Sequence, residues 1–104
     1  MATVVLTPEA VRDIAGLPSP IVARMERLVV RLEQWPSVSG VKALRGNLAG
    51  HYRLRTGDYR LQFRVVQDRK MTRVRKGKEV EEKEVVETRV IVEKAGHRDG
   101  FYEE

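Results

Sequence analysis

The chain has 104 residues, with 20 Lys and Arg against 15 Asp and Glu, a formal net charge of +5. That length predicts a single small domain over residues 1–104, and the absence of cysteine excludes disulfides, thiolate metal sites and a Cys nucleophile. No apolar run approaches the roughly 18 residues of a membrane span, and the N-terminus lacks the basic and apolar regions of a signal peptide, so a cytoplasmic location is expected.

Val4, Val5 and Leu6 predict a short first strand. Thr7 is placed as an N-cap, Pro8 suits the first helical position, and Glu9 suits the positive end of the dipole. Val11, Ile14 and Ala15 give this helix one apolar face, and Gly16 stops it. A second start signal at Ser19-Pro20 opens a helix predicted to reach Trp35. Ile21, Met25, Leu28, Leu32 and Trp35 recur on one stripe, read as core, and Pro36 ends it. The two helices form a helical hairpin.

Residues 37–50 read as a loop anchored by Val41, Leu44 and Leu48. From His51 the period changes to two. His51–Thr56 and Tyr59–Val65 alternate polar and apolar residues around the turn signal Gly57-Asp58. Residues 67–87 are a charged extension with Lys76-Gly77 as a second turn, and Thr88–Lys94 reads as the last strand.

The charge is not evenly spread. Residues 1–40 are neutral, as are 67–104. Residues 41–66 hold Lys42, Arg45, Arg53, Arg55, Arg60 and Arg64 against Asp58 alone. A two-residue hairpin at Gly57-Asp58 sets Thr56 opposite Tyr59, Leu54 opposite Leu61 and Tyr52 opposite Phe63. All large apolar side chains then share one face. The other face carries His51 opposite Arg64, Arg53 opposite Gln62 and Arg55 opposite Arg60. Like charges facing each other destabilise a sheet by a few tenths to about 1 kcal/mol per pair. Arginine binds phosphate in a planar, bidentate way, so a phosphate-bearing ligand accounts for four arginines on one face better than a solvated surface does. A turn at Lys76-Gly77 without bulges would set Phe63 opposite Val90, Leu61 opposite Val92 and Arg60 opposite Glu93. It would also bring His97, Arg98 and Tyr102 towards Arg53, Arg55 and Arg60.

Leu44-Arg45-Gly46, Tyr52-Arg53-Leu54-Arg55, Gly57-Asp58-Tyr59-Arg60-Leu61, and Gly96-His97-Arg98 followed by Tyr102 resemble the RelE/ParE superfamily of bacterial toxins. Within it they are most similar to the RelE-type ribosome-dependent mRNA endonucleases. The resemblance covers Val4 to Tyr102. It implies an α+β fold: an N-terminal strand and helical hairpin packed on a mostly antiparallel, twisted sheet in the order β-α-α-β-β-β.

It also implies the toxin of a type II toxin–antitoxin pair, which cuts A-site codons through the 2′-hydroxyl of the mRNA and leaves a 2′,3′-cyclic phosphate. The implied partners are a cognate antitoxin, the ribosome with its 16S rRNA, and mRNA. No metal, small-molecule cofactor or membrane enters the scheme. By resemblance, Arg60 stabilises the scissile phosphate, Arg98 supports transition-state charge, and Tyr102 stacks on a base and is a candidate general base, with His97 beside it. Arg53 and Arg55 match RNA-contacting positions. Arg45, Arg64 and His51 complete the expected RNA- and phosphate-binding set.

Fixed guanidiniums stabilise the charge that phosphoryl transfer gathers. A free tyrosine titrates at about 10 and needs surrounding arginines to act as a base, whereas imidazole, at about 6.5, is chemically easier. Tyr102 and a histidine, His97 or His51, therefore remain alternatives. Several RelE-type enzymes have lysines where this chain has Arg53 and Arg55, and arginine cannot give up its proton, so these two are expected to act electrostatically. The 67–87 extension is longer and more charged than usual, either a self-paired solvated ribbon or an added contact to rRNA or antitoxin. Two other functions share the basic face: a ParE-like DNA gyrase inhibitor, and a non-catalytic RNA- or antitoxin-binding module.

Overall fold

The computed structural model describes residues 1–100. Strand β1 (Thr3–Leu6) leads into helix α1 (Pro8–Ala15) and helix α2 (Ser19–Leu32). A two-residue strand β2 (Lys42–Ala43) and a 3-10 turn (Gly46–Leu48) precede strands β3 (His51–Thr56), β4 (Tyr59–Lys76) and β5 (Glu79–His97). Arg98–Gly100 form a last 3-10 turn. The five strands make one sheet in the order β1-β5-β4-β3-β2, with β1 parallel to β5 and every other pair antiparallel. This is the expected α+β architecture with one addition, β2, which lies within the segment expected to be a loop. α2 also ends at Leu32 rather than Trp35; the chain to Pro36 continues as turns.

The helices cover one face of the sheet. Ile14, Met25, Leu28 and Leu32 meet Leu54, Leu61, Phe63, Val90, Val92 and Ala95, all buried. Trp35 packs edge-on against Tyr52 and Phe63, whose own rings stack 5.5 Å apart. Thr7 caps α1 by accepting the Ala10 N–H (3.1 Å), and its hydroxyl also donates to the Glu93 carbonyl at 2.9 Å. The cap therefore ties the first helix to β5. Thr7→Ala is expected to cost about 1–2 kcal/mol, from the cap and the second hydrogen bond together, read as a lower urea midpoint at unchanged slope.

The β3–β4 register is the expected one, rung for rung from His51–Arg64 to Thr56–Tyr59. The β4–β5 register is not. The outer turn is Gly77-Lys78, closed by the Lys76–Glu79 pair, instead of Lys76-Gly77. Gly77 has φ +60°, matching Gly57 at +59°. Both turns put glycine first, where a tight hairpin needs a positive φ. A register shift then falls between Gln62 and Phe63. Phe63 pairs with Val92, Leu61 with Ala95 and Arg60 with Gly96, so Arg60 does not face Glu93. Glu93 is the extra residue, and it turns to the arginine face beside Lys94.

From the Gln67–Thr88 rung outward, β4 and β5 pair only with each other. This arm gives the molecule a 60 Å long axis and a radius of gyration of 17.0 Å, against about 13 Å for a compact chain of this length. Arg69–Glu84, Lys70–Glu87, Arg73–Glu82 and Lys76–Glu81 pair across it at 3.2–3.9 Å. The arm is thus paired within itself. Exposed pairs of this kind contribute little. A variant in which Asn-Gly replaces residues 70–85 should therefore unfold within about 1 kcal/mol of the full chain, as measured by chemical denaturation.

Candidate functional site

The β3–β4 turn and the end of β5 enclose an open cleft of about 450 Å³ lined by Gly40, Arg55, Gly57, Asp58, Arg60 and Arg98. Strand pairing creates it. Arg55 and Arg60 face each other across the hairpin. The Arg98 N–H donates to the Asp58 carbonyl at 2.8 Å, so the chain leaving β5 is pinned to the turn. Arg98 Nε also lies 3.7 Å from Asp58 Oδ1 and 3.8 Å from Asp99 Oδ1. Three guanidiniums, from β3, β4 and the 3-10 turn after β5, thus line one opening with a single carboxylate, Asp58. Such a site favours a phosphate or another small oxyanion.

Further along the same face, His51 Nδ1 meets Glu93 Oε1 at 2.5 Å. Gln62 Nε2 approaches the same oxygen at 3.5 Å, and Arg64 Nε lies 4.0 Å from Glu93 Oε2. Arg53 and Gln62, a facing pair, are buried. Arg45 stands exposed at the His51 end of β3, just past the hydrogen bond from Leu44 N to His51 O.

Of the residues expected to form the site, the cleft brings together Arg55, Arg60 and Arg98. Arg53, Arg64 and His51 share the face but do not line the cleft. His97 is not brought to it either. It pairs with Tyr59, and their rings meet edge-on at 5.2 Å, while its Nδ1 accepts the Asp99 N–H. The bulge at Glu93 accounts for this. One extra residue reverses the alternation of β5, so His97 shares a face with buried Ala95. Tyr102 lies outside the described residues.

Sequence reasoning missed Asp58 as the clasp of Arg98 and Glu93 as the partner of His51. Asp58 had a signal, as the sole acid of the basic segment. Among the described residues, no three His, Asp or Glu side chains converge as a metal site would need.

Neither family models nor curated proteins match the chain. Among solved structures, it is similar to a chain of the toxin–antitoxin complex RelBE2 from Mycobacterium tuberculosis. Identity is 28%, the alignment covers 93% of this chain and 98% of that one, and the TM-score is 0.66. With the strand order and hairpin described above, the chain has the RelE-like fold.

Proposed function

We propose that the chain is the toxin of a type II toxin–antitoxin pair and acts as a ribosome-dependent mRNA endonuclease, held inactive by a cognate antitoxin. The observation that carries the reading is the cleft in which Arg55, Arg60 and Arg98 converge. RNA cleavage by the 2′-hydroxyl gathers negative charge on the phosphate oxygens. Fixed guanidiniums lower that barrier without a metal. The similarity to a chain of a RelBE complex supports the toxin role and an antitoxin partner.

In this scheme Arg60 and Arg98 hold the scissile phosphate, Arg55 neutralises the adjoining backbone, and Arg53 and Arg64 continue the basic track. Asp58 positions Arg98 through its carbonyl and carboxylate. A gyrase-binding module needs a basic surface but no cleft of this kind.

Induced expression in growing bacteria tests the reading. Growth arrest with a fall in protein synthesis and cuts inside translated codons is expected. DNA breakage with translation intact would instead favour the gyrase reading. Asp58→Asn keeps the backbone clasp but loses the carboxylate. It should leave the protein folded and slow cutting about tenfold through a looser Arg98, as measured by primer extension.

A further inference from the structure

Among the described residues the arginine cleft holds one group able to take a proton, Asp58, whose carboxylate is engaged by Arg98, while the arginines stay protonated. A 2′-hydroxyl needs such a group to become a nucleophile. We infer that His51, held by Glu93, is the proton acceptor of the cleavage step. This inference rests on the endonuclease reading above.

Four observations meet here. First, His51 Nδ1 and Glu93 Oε1 stand in a close contact, 2.5 Å, on the basic face. An ionised carboxylate accepts from Nδ1–H, which leaves Nε2 as the basic nitrogen. Second, the arrangement is built by the backbone. Glu93 follows buried Val92 onto this face, the extra residue in β5 sets it there beside Lys94, and Thr7 grips the Glu93 carbonyl from the start of α1. Third, Gln62 Nε2 approaches the same carboxylate oxygen, while its buried Oε1 has no hydrogen-bond partner among the described residues. Fourth, the imidazole is partly exposed, with 27% of its side-chain surface open.

The groups facing the pair are Arg53 on its own strand, Gln62 and Arg64 on β4, and Lys94 on β5. The surroundings are therefore cationic and suit a polyanion. On the same face of β3, Arg53 stands about 6.6 Å from His51 and Arg55 about 13 Å, at the rise of an extended strand. Extended arginine side chains cover much of that interval. A phosphate held from the cleft side can thus present its neighbouring 2′-oxygen towards the imidazole. In the step, the 2′-oxygen bonds to phosphorus as its proton passes to Nε2 of His51. The bond from phosphorus to the 5′-oxygen breaks, and that oxygen takes a proton from water. The imidazolium then returns its proton to solvent.

Single-turnover cutting of mRNA on programmed ribosomes by the full chain tests this, with thermal unfolding of each variant measured alongside. His51→Ala is expected to cut at least about 100-fold more slowly and to regain rate when free imidazole is added. Arg60→Ala should be equally slow and gain nothing from imidazole. Glu93→Gln should cut about tenfold more slowly through a less fixed imidazole. The inference is overturned if His51→Ala cuts at the wild-type rate, or if a folded His51→Ala is slow and imidazole leaves it so. If the wild-type chain does not cut at all, the endonuclease reading itself fails. If His51→Ala is unfolded, imidazole rescue is read in folded His51→Gln with the same criteria.

Discussion

Arg60→Ala is expected to abolish growth inhibition and to lower mRNA cutting by at least about 100-fold while leaving the protein folded. The magnitude follows from losing one fixed donor to a charged transition state, about 2.7–4 kcal/mol. Arg60 faces Arg55 across the hairpin and shares the opening with Arg98. Its neighbours along β4, Leu61 and Tyr59, point to the core side, so the substitution removes a cation without opening a cavity in the core. Arg60→Lys keeps the charge but not the planar fork and should recover only part of the rate. Growth curves after induction, with circular dichroism of the purified variants, separate loss of function from loss of fold.

Phe63→Ala has the largest expected effect on stability, about 3–5 kcal/mol. Phe63 is fully buried at the centre of β4, stacked on Tyr52 and met edge-on by Trp35. A domain of this size has about 5–15 kcal/mol in all, so the variant should sit near its unfolding threshold. The same residue lies at the register shift of β5. The lost ring therefore loosens the bulge that presents Glu93, and cutting should fall with stability. Chemical denaturation followed by tryptophan fluorescence reports it directly, because Trp35 is one of the rings in contact.

The hairpin that carries the arginines was legible because three independent signals agree on it. The apolar residues of His51–Thr56 and Tyr59–Val65 alternate, Gly57 supplies the positive φ, and only one register puts Tyr52, Leu54, Leu61 and Phe63 on one face. Thr7 and Gly16 likewise marked the ends of α1 by local chemistry alone. The outer hairpin lacked that agreement. Its residues are charged on both faces, so no apolar pattern pins the register. Only the glycine-first geometry shared by Gly57 and Gly77 distinguishes the correct turn.

The bulge at Glu93 left no local mark. Glycine and proline are absent there, and the run Val90-Ile91-Val92-Glu93-Lys94 reads as an unbroken strand. The bulge follows from tertiary demands: Val92 and Ala95 are both buried in the core, and they are three residues apart. An unbroken strand would put them on opposite faces. That one irregularity moved His97 away from the cleft, whereas Glu93 reaches the His51 face by following buried Val92. Of the residues expected at the site, Arg55, Arg60 and Arg98 line the cleft, and His51 and His97 do not.

The central claim is that the arginine cleft cuts mRNA on the ribosome. A reconstituted translation mixture with purified full-length chain, followed by mapping of both new RNA ends, tests it most directly. The account predicts cuts confined to the codon in the ribosomal A site, with a 2′,3′-cyclic phosphate on one end and a 5′-hydroxyl on the other, and no cutting when Arg60→Ala replaces the wild type. Intact message on programmed ribosomes, or identical cutting by Arg60→Ala, would contradict it.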